Sequence, residues 1–240
     1  MIRFLFLAIF TSAIYGDGVY ATYDVVPLRD ASLNLSSSGV VKSIFVDVGD
    51  KVRRGALLLE IDNADIRASV ELSRQKLNKS TIEEQFAKQS YERYKKVSDV
   101  IDAQLLDNQT LNYQKAKAEV AEAKASLQYN EALLEKTRLR APFDGVIAAK
   151  NVEIGDFSSM TLFRLISSPD VKMVLNFDEK YLPLVKIGSQ VNFSVDGKRH
   201  SVKITKLYPS INPKNRKATA EALYKNLTPG VFGEATIIIK

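Results

Sequence analysis

Gly39-Val-Val-Lys-Ser-Ile-Phe-Val-Asp-Val-Gly49-Asp50 is written a second time as Gly145-Val-Ile-Ala-Ala-Lys-Asn-Val-Glu-Ile-Gly155-Asp156. Both copies open Gly-Val-(Val/Ile), close (Val/Ile)-Gly-Asp and keep the same Gly-to-Gly spacing. A repeat of this kind, with glycines at fixed offsets, is a fold signal. Each copy reads as a short β unit: a β-branched run, then a Gly-Asp pair in which glycine supplies a positive φ. Gly39, Gly49, Asp50, Gly145, Gly155 and Asp156 are therefore expected at the structural turns of the two halves. In the first copy Val40–Val48 suits a strand, with Phe45, Val46 and Val48 half-buried. Gly55 makes a second turn, and Ala56–Ile61 is the return strand.

Between the copies the chain changes character. Residues 65–138 contain no Gly and no Pro, and Glu, Lys, Gln, Ala and Leu dominate. These are helix formers without breakers, so long helices are expected. Tyr113, Ala116, Val120, Ala123, Leu127, Asn130, Leu134 and Thr137 alternate steps of three and four, the spacing of a heptad seam. Ile66, Val70, Leu77, Ala87, Tyr91 and Tyr94 continue it in the first half, diluted by Ser73, Ser80 and Glu84. A turn belongs near Ser98–Ala103, with Asp99 and Asp102 as capping residues. The result is an antiparallel helical hairpin with arms of about 34 residues, or roughly 50 Å at 1.5 Å per residue. Leu139-Arg-Ala-Pro142 ends the second helix, because Pro disfavours helix in the residue before it.

Beyond the second copy, Val171, Met173, Leu175 and Phe177 alternate as a strand. Asp178–Ile187 is expected to be a short helix closed by Gly188. Val191, Phe193 and Val195 alternate again. Asp196-Gly197 signals a tight hairpin, with Val202 and Ile204 on the return strand. Leu227-Thr-Pro-Gly230 precedes a last strand, Ala235–Ile239. Short strands separated by turns suggest a small β barrel.

The chain of 240 residues carries a net charge of +6 and no cysteine. Disulfides, thiolate metal sites and cysteine nucleophiles are therefore excluded. Residues 170–240 hold 12 Lys/Arg against 6 Asp/Glu. Such a basic segment could face anionic headgroups or an acidic partner. Met1-Ile2-Arg3, the apolar run Phe4–Ile14 and the small residues Val19 and Ala21 read as a secretory signal over 1–21. The alternative is an uncleaved anchor. An exported chain without an aromatic-interleaved basic patch is not expected to bind nucleic acid. No nucleophile–base pair is visible, so no enzyme activity is expected. The single histidine, His200, reads as an exposed strand residue. Met160 and Met173 are isolated, so no metal and no cofactor are expected.

The two halves around Gly39 and Gly145 resemble those of a lipoyl or biotinyl carrier domain. In such a domain the tip hairpin carries the modified lysine. The matching stretch is Glu60-Ile61-Asp62-Asn63-Ala64, with Asn63 at the lysine position and the helices inserted at that tip. The whole order resembles the periplasmic adaptor subunits, or membrane fusion proteins, of tripartite efflux pumps. That order is a split lipoyl-like β domain, an inserted antiparallel hairpin and a small β barrel, a mixed α and β class. Leu139-Arg-Ala-Pro-Phe-Asp-Gly145, Asp178-Glu179 through Gly188, and Leu227-Thr-Pro-Gly-Val-Phe-Gly233 are similar to the family's motifs.

The resemblance implies a signal over 1–21, a lipoyl-like domain over 34–64 plus 139–168, a hairpin over 65–138 and a barrel over 169–240. Residues 22–33 are available for a further strand. The membrane-proximal β domain of larger members is expected to be reduced or absent. At the hairpin tip the resemblance places a contact with an outer-membrane channel on Arg93, Val97 and Asp102. The latter two depart from the family's Leu and Ser. It further implies an inner-membrane transporter as partner, self-association into a ring, and a peripheral position on the periplasmic face of the inner membrane. ABC-type secretion adaptors commonly carry an N-terminal span and longer helices, so a resistance-nodulation-division (RND) transporter is the favoured partner. The alternatives are an adaptor of an ABC-type secretion system and an acyl or carboxyl carrier.

Overall fold

The computed structural model describes residues 18–158 and 160–239. In chain order the elements are β1 (Gly18–Pro27), β2 (Asp30–Leu33), β3 (Val41–Ile44), β4 (Lys51–Val52), β5 (Leu57–Ile61), α1 (Ala64–Lys95), α2 (Ala103–Lys136), β6 (Arg138–Arg140), β7 (Gly145–Lys150), β8 (Phe163–Ser167), β9 (Asp170–Asp178), β10 (Gln190–Val195), β11 (Lys198–Leu207), β12 (Lys217–Lys225) and β13 (Phe232–Ile238). They form two compact units, one over Ser32–Leu165 and one from the segments on either side of it.

The first unit holds both copies of the repeat. Its sheets have the orders β2-β8-β7-β4 and β3-β5-β6. The copies fold alike at their ends. Gly49 and Gly155 have φ of 93° and 97°. The Asp50 carboxylate accepts the Asp47 N–H at 2.7 Å, and the Asp156 carboxylate accepts the Glu153 N–H at 2.8 Å. The aspartate after each glycine thus locks its own turn with a side-chain hydrogen bond. The other two glycines are not turns, which corrects the expectation for Gly39 and Gly145. Gly145 is a buried first residue of β7, and Gly39 lies in the extended approach to β3. At Gly39 an added Cβ would stand 2.9 Å from Ile61 Cδ1. The position packs closely on the end of the Ile61 side chain and does not use a positive φ.

The expected strand over Val40–Val48 is shorter. Pairing stops at Ile44, and Phe45 and Val48 are 53% and 57% exposed. The chain leaves the sheet to form the Asp47–Asp50 turn, so their side chains lose a sheet face to pack on. The same happens at Ile154 in the second turn.

The second unit is a closed barrel of order β1-β13-β10-β11-β12-β9. Val171, Met173, Leu175 and Phe177 point inward from β9, and small Ala222, Ala220 and Ala218 face the last three from β12. Large side chains opposite small ones fill a narrow lumen without strain. Tyr23 also points in, and Gly233 is required beside it, because a Cβ there would meet the Tyr23 hydroxyl at 2.9 Å.

Two expectations are corrected in this unit. The leader was expected to run to Ala21, but Gly18–Ala21 belong to β1, with Val19 and Ala21 buried in the barrel. Those residues are small because they face the lumen. The basic start and apolar run on which that expectation rests lie outside the described residues. The expected helix over Asp178–Ile187 is a single 3-10 turn, Glu179–Tyr181, capped by the Asp178 carboxylate on Lys180 N–H. Pro183, two residues on, has no N–H with which to continue it.

Nothing lies within 4 Å of an added Cβ at Gly49 or Gly155, so a substitution there meets backbone strain alone. Gly155→Ala and Gly49→Ala are each expected to lose about 1–2 kcal/mol in urea denaturation. Parent-like midpoints for both variants would remove the turn assignment.

Candidate functional site

The two helices meet along the seam the sequence marks. Ser73 and Ser80 on α1 and Ala116 and Ala123 on α2 are buried, and Asn130 Nδ2 donates to Ser73 Oγ at 2.7 Å. Near the far end Tyr91 stacks on Tyr113 with ring centroids 5.6 Å apart. These two contacts fix an antiparallel pairing, since early α1 meets late α2 and late α1 meets early α2. Ser73 and Ser80 do not dilute the seam. They are small enough to let the helices close on each other, and Ser73 has a partner for its hydroxyl. Arg74 and Glu131, 3.9 Å apart, and Lys76 and Glu122, 3.6 Å apart, bridge the helices outside the seam.

At the far end, α1 stops at Lys95 and a 3-10 turn over Ser98–Val100 leads to α2. Asp102 is the cap of α2: its carboxylate accepts the Gln104 N–H at 2.7 Å. The carboxylate satisfies one of the orphan N–H groups at the start of α2, a structural role, and Asp102 stays exposed at the turn. Arg93 is exposed in the last turn of α1, where the helix dipole favours a cation, and donates to Ser90 Oγ at 3.1 Å. Val97 is 44% exposed. Leu105, 38% exposed on the other side of the turn, was not singled out from the sequence. It lies before Tyr113, where the seam read from the sequence begins.

At the near end the helices leave and re-enter the sheet of β5 and β6. Glu60 pairs with Arg138 across these strands, and Ile61 N–H donates to Thr137 C=O at 3.1 Å. Glu60 is 8% exposed. Its Oε1 accepts from Arg67 at 2.5 Å, Asn63 Nδ2 at 2.7 Å and Arg138 Nε at 3.3 Å. Asn63 Nδ2 also donates to Thr137 Oγ1 at 2.8 Å. One carboxylate thus ties β5, the first turns of α1, the end of α2 and β6. Burial alone pushes the Glu60 carboxyl up. The hydrogen bonds from Asn63, Arg67 and Arg138 and the charge of Arg67 outweigh it, so the group titrates below its ordinary value.

Asn63 stands where a carrier domain bears its lysine, and it is wholly buried. Its amide is occupied in the junction, so the position offers no attachment point to solvent. Its Oδ1 has no protein partner.

His200 is not the exposed strand residue the sequence suggests. It is half-buried, stacked on Phe193 at 5.4 Å, with Nδ1 2.8 Å from the Tyr224 hydroxyl. Among the described residues no group of three or more His, Cys, Asp or Glu is placed to hold a metal ion. Among the same residues no helix is long and apolar enough to cross a membrane.

Residues 30–161 match the model of the CzcB-like barrel-sandwich hybrid domain. The chain is 28% identical over 227 residues to the macrolide export protein MacA of Yersinia pestis, covering 80% of this chain and 58% of that protein. It is 25% identical over 227 residues to an uncharacterised protein of Haemophilus influenzae, covering 90% of this chain and 56% of the relative. The crystal structure of MacA from Actinobacillus actinomycetemcomitans superposes with a TM-score of 0.70 at 20% identity, over 93% of this chain and 78% of that one. The chain spans about half the length of the curated relatives it matches. The match covers more than half of the chain, which therefore belongs to the CzcB-like barrel-sandwich hybrid family. The resemblance to membrane fusion proteins, read from the two glycine motifs, leads to the same group.

Because Glu60 titrates below its unfolded value, its contribution to stability is present above the unfolded pKa. It is lost as pH falls through the folded one. Glu60→Gln is expected to lower stability by about 1–3 kcal/mol at neutral pH and to flatten the acid limb of stability against pH. Urea titrations at several pH values check both. An acid limb identical to the parent's would remove Glu60 from the junction.

Proposed function

We propose that this member of the family is a periplasmic adaptor that bridges an inner-membrane transporter to an outer-membrane channel in an efflux system. The observation that carries the reading is the insertion. A two-helix arm rises from the middle of a β domain, anchored at one end by Glu60 and carrying exposed Val97 and Leu105 beside Arg93 at the other. Exposed apolar residues and a cation at the end of α1, and a further exposed apolar residue at the start of α2, suit contact with another protein. Asp102 serves that contact by holding the turn. The β domain and the barrel would face the transporter and neighbouring copies, arranged in a ring peripheral to the inner membrane. The names of relatives such as MacA and the multidrug export protein EmrA of Haemophilus influenzae support an export role.

The role is mechanical. The adaptor holds transporter and channel in register and couples the cycle of one to the opening of the other. Selectivity and energy belong to the transporter. We favour an RND-type transporter over an ABC-type, since the arms, at 32 and 34 residues, are short for a secretion adaptor. A carrier role is disfavoured by the buried amide of Asn63.

A photoreactive residue at Val97 is expected to crosslink in cells to an outer-membrane channel, with an inner-membrane transporter captured alongside. Arg93→Glu in the same background should cut the crosslink several-fold and leave thermal unfolding unchanged. Capture of neither partner from cells that make both would remove the bridging function. An unchanged yield in Arg93→Glu would leave Arg93 a solvated charge on the helix dipole.

A further inference from the structure

The excess of positive charge in residues 170–240 has no part in the bridging function, and the barrel gathers much of it at one end. Gly18 of β1 pairs with Ile238 of β13, Lys217 of β12 with Asp178 of β9, and Gln190 of β10 with Lys203 of β11. These registers bring two connections to the same end: 179–189 between β9 and β10, and 208–216 between β11 and β12. The first crosses the mouth of the barrel, because β9 and β10 are not neighbours in it. Val185 turns inward on the crossing and joins the core. Leu184 and Ile187 are left outside, at 48% and 68% exposure, and Ile211 is exposed on the second connection.

The same two connections hold Lys180, Lys186, Lys214 and Arg216, against Glu179 as their one acid. All four cations are exposed. Lys180 is shared with Asp178 at 3.8 Å, whereas Lys186, Lys214 and Arg216 form no ion pair among the described residues. The second connection is held in place: the side chains of Asn212 and Asn215 accept the N–H groups of Lys214 and Lys217 at 3.0 and 3.1 Å. Arg216 has a φ of 53°. Glycine or asparagine would adopt that conformation with less strain, so the turn itself does not call for an arginine.

Cations interleaved with exposed apolar side chains discriminate among partners. A merely acidic partner accounts for the cations and leaves Leu184, Ile187 and Ile211 in water. A bilayer with anionic headgroups accounts for both. Cations lie at the phosphates, and apolar side chains enter the boundary of the acyl region. The aliphatic stems of Lys and Arg let the charged heads stay at that boundary while the surface approaches. The order of the chain points the same way. Ile14, the last residue of the apolar run Phe4–Ile14, is separated from Gly18 by at most about 14 Å of chain. The apolar run therefore joins the barrel at its basic end.

We propose that this end of the barrel docks on an anionic lipid bilayer, with Lys186, Lys214 and Arg216 at the headgroup phosphates and Leu184, Ile187 and Ile211 at the acyl boundary. It rests on the peripheral membrane position proposed above and names the surface that takes it. The wall of the barrel stays available to the transporter and to neighbouring copies. The chain has no cysteine, so Ile187→Cys, Ile211→Cys and, at the opposite end of the barrel, Lys198→Cys each accept a single environment-sensitive fluorophore. The labelled full chains are reconstituted with vesicles of equimolar phosphatidylglycerol and phosphatidylcholine, and with vesicles of phosphatidylcholine alone. Emission from positions 187 and 211 is expected to shift to the blue in the anionic vesicles only and to move back towards its value in water at high salt. The shift should be lost when Lys186→Gln, Lys214→Gln and Arg216→Gln are combined. Emission from position 198 should remain that of a probe in water throughout. If positions 187 and 211 stay in water with the anionic vesicles, the proposal is overturned, and any flotation of the chain then belongs to the sequence before Gly18. An equal shift in the neutral vesicles, or in the combined variant, overturns it as well. Neither transporter nor channel is present in the assay, so its failure leaves the bridging function standing.

Discussion

One carboxylate holds the arm to the body. Glu60 sits at the end of β5 and gathers Arg67 from α1, Arg138 from β6 and Asn63 from the link between β5 and α1. A nearly buried charge costs several kcal/mol in desolvation unless it is paired and hydrogen-bonded. Here two guanidiniums and an amide supply that compensation, and they come from segments far apart in the chain. The cost can be met only when α1 begins and α2 ends at this point of the sheet. The junction therefore specifies geometry more than it adds stability. Asn63 extends it to Thr137, the last turn of α2, so both helices are registered against the same strand pair.

That registration matters because the arm is poorly equipped to hold itself. Only five residues of the two helices are buried: Val70, Ser73, Ser80, Ala116 and Ala123. A seam of small and hydroxyl side chains removes little apolar surface from water. Long helices with weak amphipathic faces depend on tertiary anchoring. The arm has one anchor at its base and a stacked Tyr91–Tyr113 pair towards its tip, with cross-helix ion pairs that are exposed and individually worth ~1 kcal/mol or less. Its stability is therefore inherited from the β domain.

The fold was legible where local chemistry leaves only one solution. Gly49-Asp50 and Gly155-Asp156 could be read because positive φ and a side-chain lock to the residue three before demand those two residue types together. The seam could be read because two helices impose a period. Illegibility has equally specific causes. The start of β1 reads as the end of an export signal, since a strand lining a narrow barrel and a cleavage site both use alternating small residues. Gly39 and Gly145 look like turns because the sequence marks a glycine without saying whether φ or space requires it. The junction was invisible: Glu60, Arg67 and Arg138 are ordinary surface types, and only the closure of β5 on β6 brings them together. At the tip, Arg93 and Val97 were named by resemblance, whereas the exposure of Leu105 at the start of α2 shows only in the fold.

The distribution of order along the arm bears on how it could transmit force. A lever needs a stiff joint or a stiff shaft, and the sequence has invested in the joint. At the base a charged cluster, a strand ladder and a buried amide act within one turn of helix. Along the shaft the helices touch through hydroxyls and methyl groups, which tolerate small displacements because few interlocking side chains oppose them. A load at the tip would thus bend or slide the shaft before it broke the base. A shaft of this kind could yield while its root stays fixed, and Asp102 holds the turn by capping α2 independently of the seam. Motion at the tip and fidelity at the root are then separate properties, set by different residues, and substitutions in one need not disturb the other.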